Sequence, residues 1–123
     1  NIVYHGQVSP NESLEKIKQA DLFCLPTKYN GEGMPGAVVE SLIAGTPVLL
    51  SNYSQAKNII QDGCNGILCN LNDINDLKNK LIYCYNNYEL LKKISFQSQE
   101  YSKQFVFSTY ENAFYNYILG DKQ

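Results

Sequence analysis

Leu22-Phe-Cys-Leu25 and then Glu32-Gly-Met-Pro-Gly-Ala-Val-Val-Glu40-Ser-Leu-Ile-Ala-Gly-Thr-Pro-Val48 form the stretch that decides the fold. The first four residues are an apolar run closed by Pro26, which suits a strand buried on both faces of a parallel sheet. Lys28-Tyr-Asn-Gly31 follows as a polar turn segment, and Gly31 and Gly33 bracket Glu32. Glycines there permit positive φ and let a ligand approach the main chain closely. Pro35 fits the first position of a helix, where the N–H it lacks would have no partner anyway. The amides of Met34, Gly36 and Ala37 are then free at a helix start, and together with the helix dipole they favour an anion such as a diphosphate. The helix continues through Val38, Val39, Leu42 and Ile43 and is stopped by Gly45, with Pro47 just beyond. Glu40 lies four residues after Gly36 on the same helical face, so it can point toward whatever occupies the start. Gly45 reads as serving the helix end alone.

Working outward, strands are expected near Ile2–His5, Leu22–Leu25, Val48–Ser51 and Ile67–Cys69. Helices are expected near Glu12–Gln19, Gly36–Ala44, Ser54–Gln61 and Ile74–Asn86. This alternation implies βαβ units and a Rossmann-like parallel sheet with flanking helices, an α/β fold. After Asn87 the pattern is wholly helical, with helices near Tyr88–Gln104 and Phe107–Leu119, the second opened by Ser108 or Thr109. The chain therefore reads as a single domain over 1–123 with a helical tail over 87–123. No internal repeat or linker is visible.

At 123 residues and 44% hydrophobic content, the chain can bury roughly 60–70% of its unfolded surface around one core. A net charge of −2 without a basic block gives no electrostatic footprint for nucleic acid. No apolar stretch reaches the ~18–20 residues that span a bilayer, and a cytoplasmic location is expected. Cys24, Cys64, Cys69 and Cys84 form no CxxC pair and read as reduced structural thiols. His5, the sole histidine, has no partner in the pattern and reads as structural. Met34 is the only methionine and Asn1 leads straight into an expected strand, so the chain is expected to be a fragment.

The run from Glu32 to Val48 resembles the donor-site signature of family 4 retaining glycosyltransferases, enzymes of the GT-B fold. Asn1-Ile-Val-Tyr-His-Gly-Gln-Val8, Ala20-Asp-Leu-Phe-Cys-Leu-Pro-Thr27 and Ile59-Ile-Gln-Asp-Gly-Cys-Asn-Gly66-Ile-Leu resemble the flanking elements of that family, in the same order. The resemblance covers about three quarters of the chain, and several motifs in order are more specific than one glycine pattern.

It implies a partial GT-B C-terminal domain that holds the nucleotide-sugar donor. Glu40 would accept hydrogen bonds from the ribose hydroxyls. Glu32 would bind the transferred sugar and takes the catalytic label. Gly33, Met34, Pro35, Gly36 and Ala37 would line the donor site. The donor is a substrate, and neither a metal nor an organic cofactor is expected. The acceptor would be a glycan or a lipid-linked acceptor in polysaccharide or glycolipid assembly, which allows a peripheral location at the inner face of the membrane.

The missing N-terminal domain and first donor-domain strands, with their basic Arg and Lys pair, would leave this chain alone inactive. Their absence also exposes a sheet edge beside Leu22–Leu25, to be closed by residues 2–5 or paired between molecules. Two departures from the family stand out. Asn58 occupies the place of a usual glutamate in Ser51-Asn-Tyr-Ser-Gln-Ala-Lys-Asn58, which also lacks the usual glycine, and Lys28–Gly31 looks inserted.

Bland readings stay open beside these. Glu32 and Glu40 can be solvated charges, and Thr27 can cap a turn as well as touch a donor. The tyrosines from Tyr83 to Tyr117 can pack against the sheet or a missing domain rather than stack on sugars. Another GT-B enzyme, such as a nucleotide-sugar epimerase or a starch-synthase-like transferase, and a non-catalytic α/β binding module are the alternative functions.

Overall fold

The structure is a computed structural model that describes residues 1–106 and 108. In chain order it contains α1 (Pro10–Gln19), β1 (Phe23–Leu25), α2 (Gly36–Ala44), β2 (Val48–Ser51), a 3₁₀ turn (Ala56–Asn58) and β3 (Ile67–Cys69). These are followed by α3 (Ile74–Asn86), α4 (Tyr88–Ser102) and a 3₁₀ turn (Lys103–Phe105). The strands form a parallel sheet in the order β1-β2-β3, with Cys24 opposite Leu49 and Leu50 opposite Leu68. A right-handed crossover between parallel neighbours leaves room for one helix, and α2 occupies it between β1 and β2.

The central strand explains how the layers hold together. All four residues of β2 are buried, as expected for a strand covered on both faces. Val48 and Leu50 face Val38 and Leu42 of α2, along with Tyr53, Ala56, Ile59 and Ile60. Leu49 faces the other way, onto Ile67, Cys69, Cys84, Leu91 and Ile94, so α3 and α4 cover that side. Burial pushes the Cys24, Cys69 and Cys84 thiols up, Cys24 to about 11, first by desolvation and then by the nearby Cys69 and Cys84. All four cysteines are free.

Two buried polar links register the helices against this core. Thr46 Oγ1 donates to Ile17 O at 2.8 Å, tying the end of α1 to the turn before β2. Ser98 Oγ on α4 donates to Asn65 O at 2.8 Å. Gly45 ends α2 in the left-handed region at φ 76°, with its N–H on Leu42 O and Ser41 O. A side chain there would be strained and would run into Gln99, 2.6 Å from a Cβ.

Several sequence expectations are corrected. Residues 2–5 form no strand; Ile2, Val3 and Tyr4 are exposed, and His5 with them. A short apolar segment becomes a strand only when a ladder and a covered face receive it, and among the described residues the outer edge of β1 carries no partner. The expected closing of residues 2–5 against β1 does not occur.

The expected helix over 54–61 shrinks to a 3₁₀ turn. There Asn65 stands in for helical hydrogen bonds, accepting from Gln61 N at 2.7 Å and donating to Ile59 O at 3.0 Å. Ile59 and Ile60 are thereby both buried. Helix α1 begins two residues earlier than expected, because Ser9 caps it and Pro10 opens it. In the C-terminal third, Tyr83, Tyr85 and Tyr88 are exposed and do not pack against the sheet, whereas Tyr101 meets Phe105 edge-on at 5.8 Å. Helix α4 ends at Ser102. The helix expected over 107–119, and Tyr110, Tyr115 and Tyr117 with it, lie outside the described residues.

Candidate functional site

The loop between β1 and α2 carries Glu32, and α2 itself carries Glu40, at the carboxyl end of the sheet, where open parallel sheets bind their ligands. Pro35 is the cap residue of α2 rather than its first helical residue, with φ −62° and ψ 125°. The reason is local: its carbonyl already accepts from Val38 N at 3.0 Å and from Val39 N at 3.3 Å. The cap has no side-chain hydrogen bond, and the first turn holds no acidic residue. Among the described residues the amides of Met34, Gly36 and Ala37 therefore have no acceptor, so the positive end of the dipole is left unneutralised by the chain itself.

The glutamates flank this end. Glu32 is half-buried in the loop and Glu40 is exposed in the second turn of α2. Neither carboxylate accepts a hydrogen bond or joins an ion pair among the described residues. Gly33 and Gly36 are open: a Cβ at either would meet nothing within 4 Å, so a ligand can reach the backbone. The expected positive φ in the loop is absent, since Gly31 and Gly33 are not among the left-handed glycines. Their role is clearance; at Gly31 a Cβ would strike the Tyr29 ring at 2.6 Å.

A second loop braces the first, and the sequence alone did not reveal it. Tyr53, 2% exposed at the end of β2, donates its hydroxyl to Gly33 O at 3.2 Å. Ser54 N donates to Asn30 Oδ1 at 2.9 Å and Ser54 Oγ donates to Asn30 O at 2.8 Å. The Tyr53 phenol is pushed up, mainly by burial and then by the negative charge of Glu32, so it remains a donor at neutral pH. Asn30 belongs to the segment that looked inserted. The only sequence signal was indirect, a tyrosine and a serine shortly after the apolar run Val48-Leu49-Leu50.

Thr27 closes a turn by accepting from Tyr29 N at 3.1 Å, and it also lines a cleft of about 300 Å³ with Pro26, Ser51, Asn70 and Asp73. That cleft and two others, of about 310 and 540 Å³, contain neither Glu32 nor Glu40. The loop and the start of α2 lie open at the surface, with Gly33, Met34, Gly36 and Glu40 exposed.

Such a helix start on a parallel sheet defines a class, the nucleotide-binding α/β domains. Within that class the chain belongs to the family of glycosyl transferases group 1, whose pattern it matches over residues 1–101. An uncharacterised glycosyltransferase of Methanocaldococcus jannaschii is 32% identical over 100 residues, covering 81% of this chain and 28% of that protein. A UDP-Gal:alpha-D-GlcNAc-diphosphoundecaprenol alpha-1,3-galactosyltransferase of Escherichia coli is 35% identical over 66 residues, covering 54% of this chain and 16% of that one. In fold the chain resembles HepE of Anabaena, solved in complex with UDP, with a TM-score of 0.78 at 20% identity over 85% of this chain and 29% of that one. The chain thus spans less than a third of the length of each of these relatives. Among the described residues no helix is long and apolar enough to cross a membrane.

Proposed function

We propose that this chain is the donor-binding part of a retaining glycosyltransferase that moves a sugar from a nucleotide-sugar to a glycan or lipid-linked acceptor. The observation that carries the reading is the helix start itself: amides of Met34, Gly36 and Ala37 that find no acceptor among the described residues stand between two carboxylates that find no donor there. Breaking the bond from the anomeric carbon to the diphosphate builds positive charge on the sugar and negative charge on the leaving phosphate. Donors fixed in advance at the phosphate lower that barrier. Gly33, Met34, Pro35, Gly36 and Ala37 supply this surface, the amides and the dipole acting without a metal.

Glu40 takes the ribose hydroxyls, since a carboxylate can accept two vicinal O–H groups. Glu32 holds hydroxyls of the transferred sugar and so places its anomeric carbon, the sense in which we assign it a catalytic role. A UDP-bound structural relative and a relative named for a diphosphoundecaprenol substrate support this reading and its polysaccharide-assembly setting. With that setting go a cytoplasmic location, peripheral at the membrane face, and an N-terminal domain that completes the acceptor side. The edge of β1, which carries no strand among the described residues, is open to pairing between copies of this chain. A monomeric mass by light scattering would remove that last element.

Ligand-observed NMR with UDP-, GDP- and ADP-sugars tests the site directly. Binding selective for one nucleotide and weakened in Glu40→Ala is the expected result. Equal binding by Glu40→Ala and the unaltered chain would remove Glu40 from the site.

A further inference from the structure

The Gly33–Met34 peptide is the joint on which the donor site turns. A trans peptide places its C=O and N–H on opposite sides of one plane, so whatever holds the Gly33 carbonyl also sets the direction of the Met34 N–H. Glycine resists rotation of that plane less than any other residue, and a Cβ at Gly33 would touch nothing within 4 Å. The peptide has no steric support of its own. The Tyr53 hydroxyl supplies it, donating to Gly33 O at 3.2 Å from a ring that is 2% exposed in the core with Val38, Leu42 and Leu50. Ser54 grips Asn30 at the other end of the loop through two hydrogen bonds, so the loop is held on both sides of Glu32.

We propose that Tyr53 is a positioning residue for the donor site: by holding the Gly33 carbonyl it aims the Met34 N–H at the diphosphate of the donor and keeps Glu32 facing the sugar. The inference rests on the donor-site reading above and adds a residue to it. Tyr53 touches no substrate; it acts through the peptide it holds. Without its hydroxyl the Gly33 carbonyl can turn toward solvent, and the Met34 amide turns with it.

The test compares the unaltered chain with Tyr53→Phe, which keeps the buried ring, and with Ser54→Ala, which releases the Asn30 end. Affinities for UDP, GDP and ADP are measured beside those for the matching monophosphates, together with the residual dipolar coupling of the Met34 amide. The expected result in Tyr53→Phe is a roughly five- to tenfold fall in the preference for diphosphate over monophosphate, with a changed Met34 coupling and an unchanged fold. A smaller fall in the same direction is expected for Ser54→Ala. An unchanged preference in Tyr53→Phe would overturn the proposal and leave the donor site standing. Failure of the unaltered chain to bind any of the three diphosphates would overturn the donor site and, with it, this role for Tyr53.

Discussion

Helices α1 and α3 begin one way and α2 begins another. Ser9 and Glu12 form a reciprocal capping box on α1, and Asp73 accepts from Asn75 N and Asp76 N on α3. Each of these helices consumes its own first-turn donors with a side chain and adds an acidic residue to meet the dipole. Helix α2 has a proline cap with no side-chain oxygen and no acid in its first turn. Its apolar positions Val38 and Leu42 are fully buried, so packing rather than capping stabilises it. Helix α4 also lacks a side-chain cap, but Glu89 lies in its first turn; of the four α-helices described, only α2, set between Glu32 and Glu40, has neither a capping side chain nor a first-turn acid.

The largest effect that would sharpen this contrast is expected from Glu40→Ala. Nucleotide-sugar affinity should fall by roughly 1.5–3 kcal/mol, the scale of hydrogen bonds to a charged group, as read by titration calorimetry with the nucleotide-sugar that the NMR panel selects. Because Glu40 is exposed and has no hydrogen-bond or ion-pair partner among the described residues, its loss should leave the melting temperature in place. A large drop in melting temperature would show that Glu40 holds the fold and would dissolve the contrast.

Closing α2 artificially is the next largest test. Pro35→Asp gives the helix the kind of cap that α3 has, placing a carboxylate where the diphosphate would sit. Affinity for the diphosphate should fall by about 1.5 kcal/mol. Stability should shift by less than ~0.5 kcal/mol, because the capping gain offsets the lost stiffness of proline. The mirror experiment, Asp73→Ala on α3, should cost about 1 kcal/mol of stability and leave nucleotide affinity unchanged. If Asp73→Ala weakened nucleotide binding as much as Pro35→Asp, the two helix starts would not differ in kind.

How far the contrast could be read in advance depends on the range of the interactions involved. Helix α2 and strands β2 and β3 were legible because their signals are local: a buried run, a glycine stop and a proline after it. The open start of α2 was legible for the same reason, although Pro35 sits one place earlier than the pattern suggested. The brace from Tyr53 and Ser54 was not legible, since it joins residues 20 and 24 positions apart through hydrogen bonds that no spacing rule encodes. Asn65 hid the loss of the helix over 54–61 in the same way, by offering one side chain to two backbone groups. Residues 2–5 have the composition of a strand, but a strand exists only in a ladder, and these residues do not join the open outer edge of β1.

The smallest expected effect falls on α1, where closure depends on charge. The Glu12 carboxyl is held below its ordinary value of 4.5, chiefly by the hydrogen bond from the Ser9 backbone, then by the Ser9 hydroxyl. A carboxyl whose folded value is depressed contributes stability that is fully present above about that ordinary value, and it is lost as the pH falls through the lower folded one. Acid titration should therefore loosen α1 first, read as faster exchange of the Ser9 and Glu12 amides below pH 4.5. The α2 start should show no matching step in the free chain, because no carboxyl caps it. Glu12→Gln keeps a side chain able to accept from Ser9 N but removes the titration, so it should flatten the acid response of α1 while leaving the helix in place. An acid response that persisted in Glu12→Gln would place the sensitivity elsewhere. An equal response in the amides of Gly36 and Ala37 would mean that the start of α2 is closed by a carboxyl after all, Glu32 being the nearest in the loop, and that its openness is a property of pH rather than of sequence.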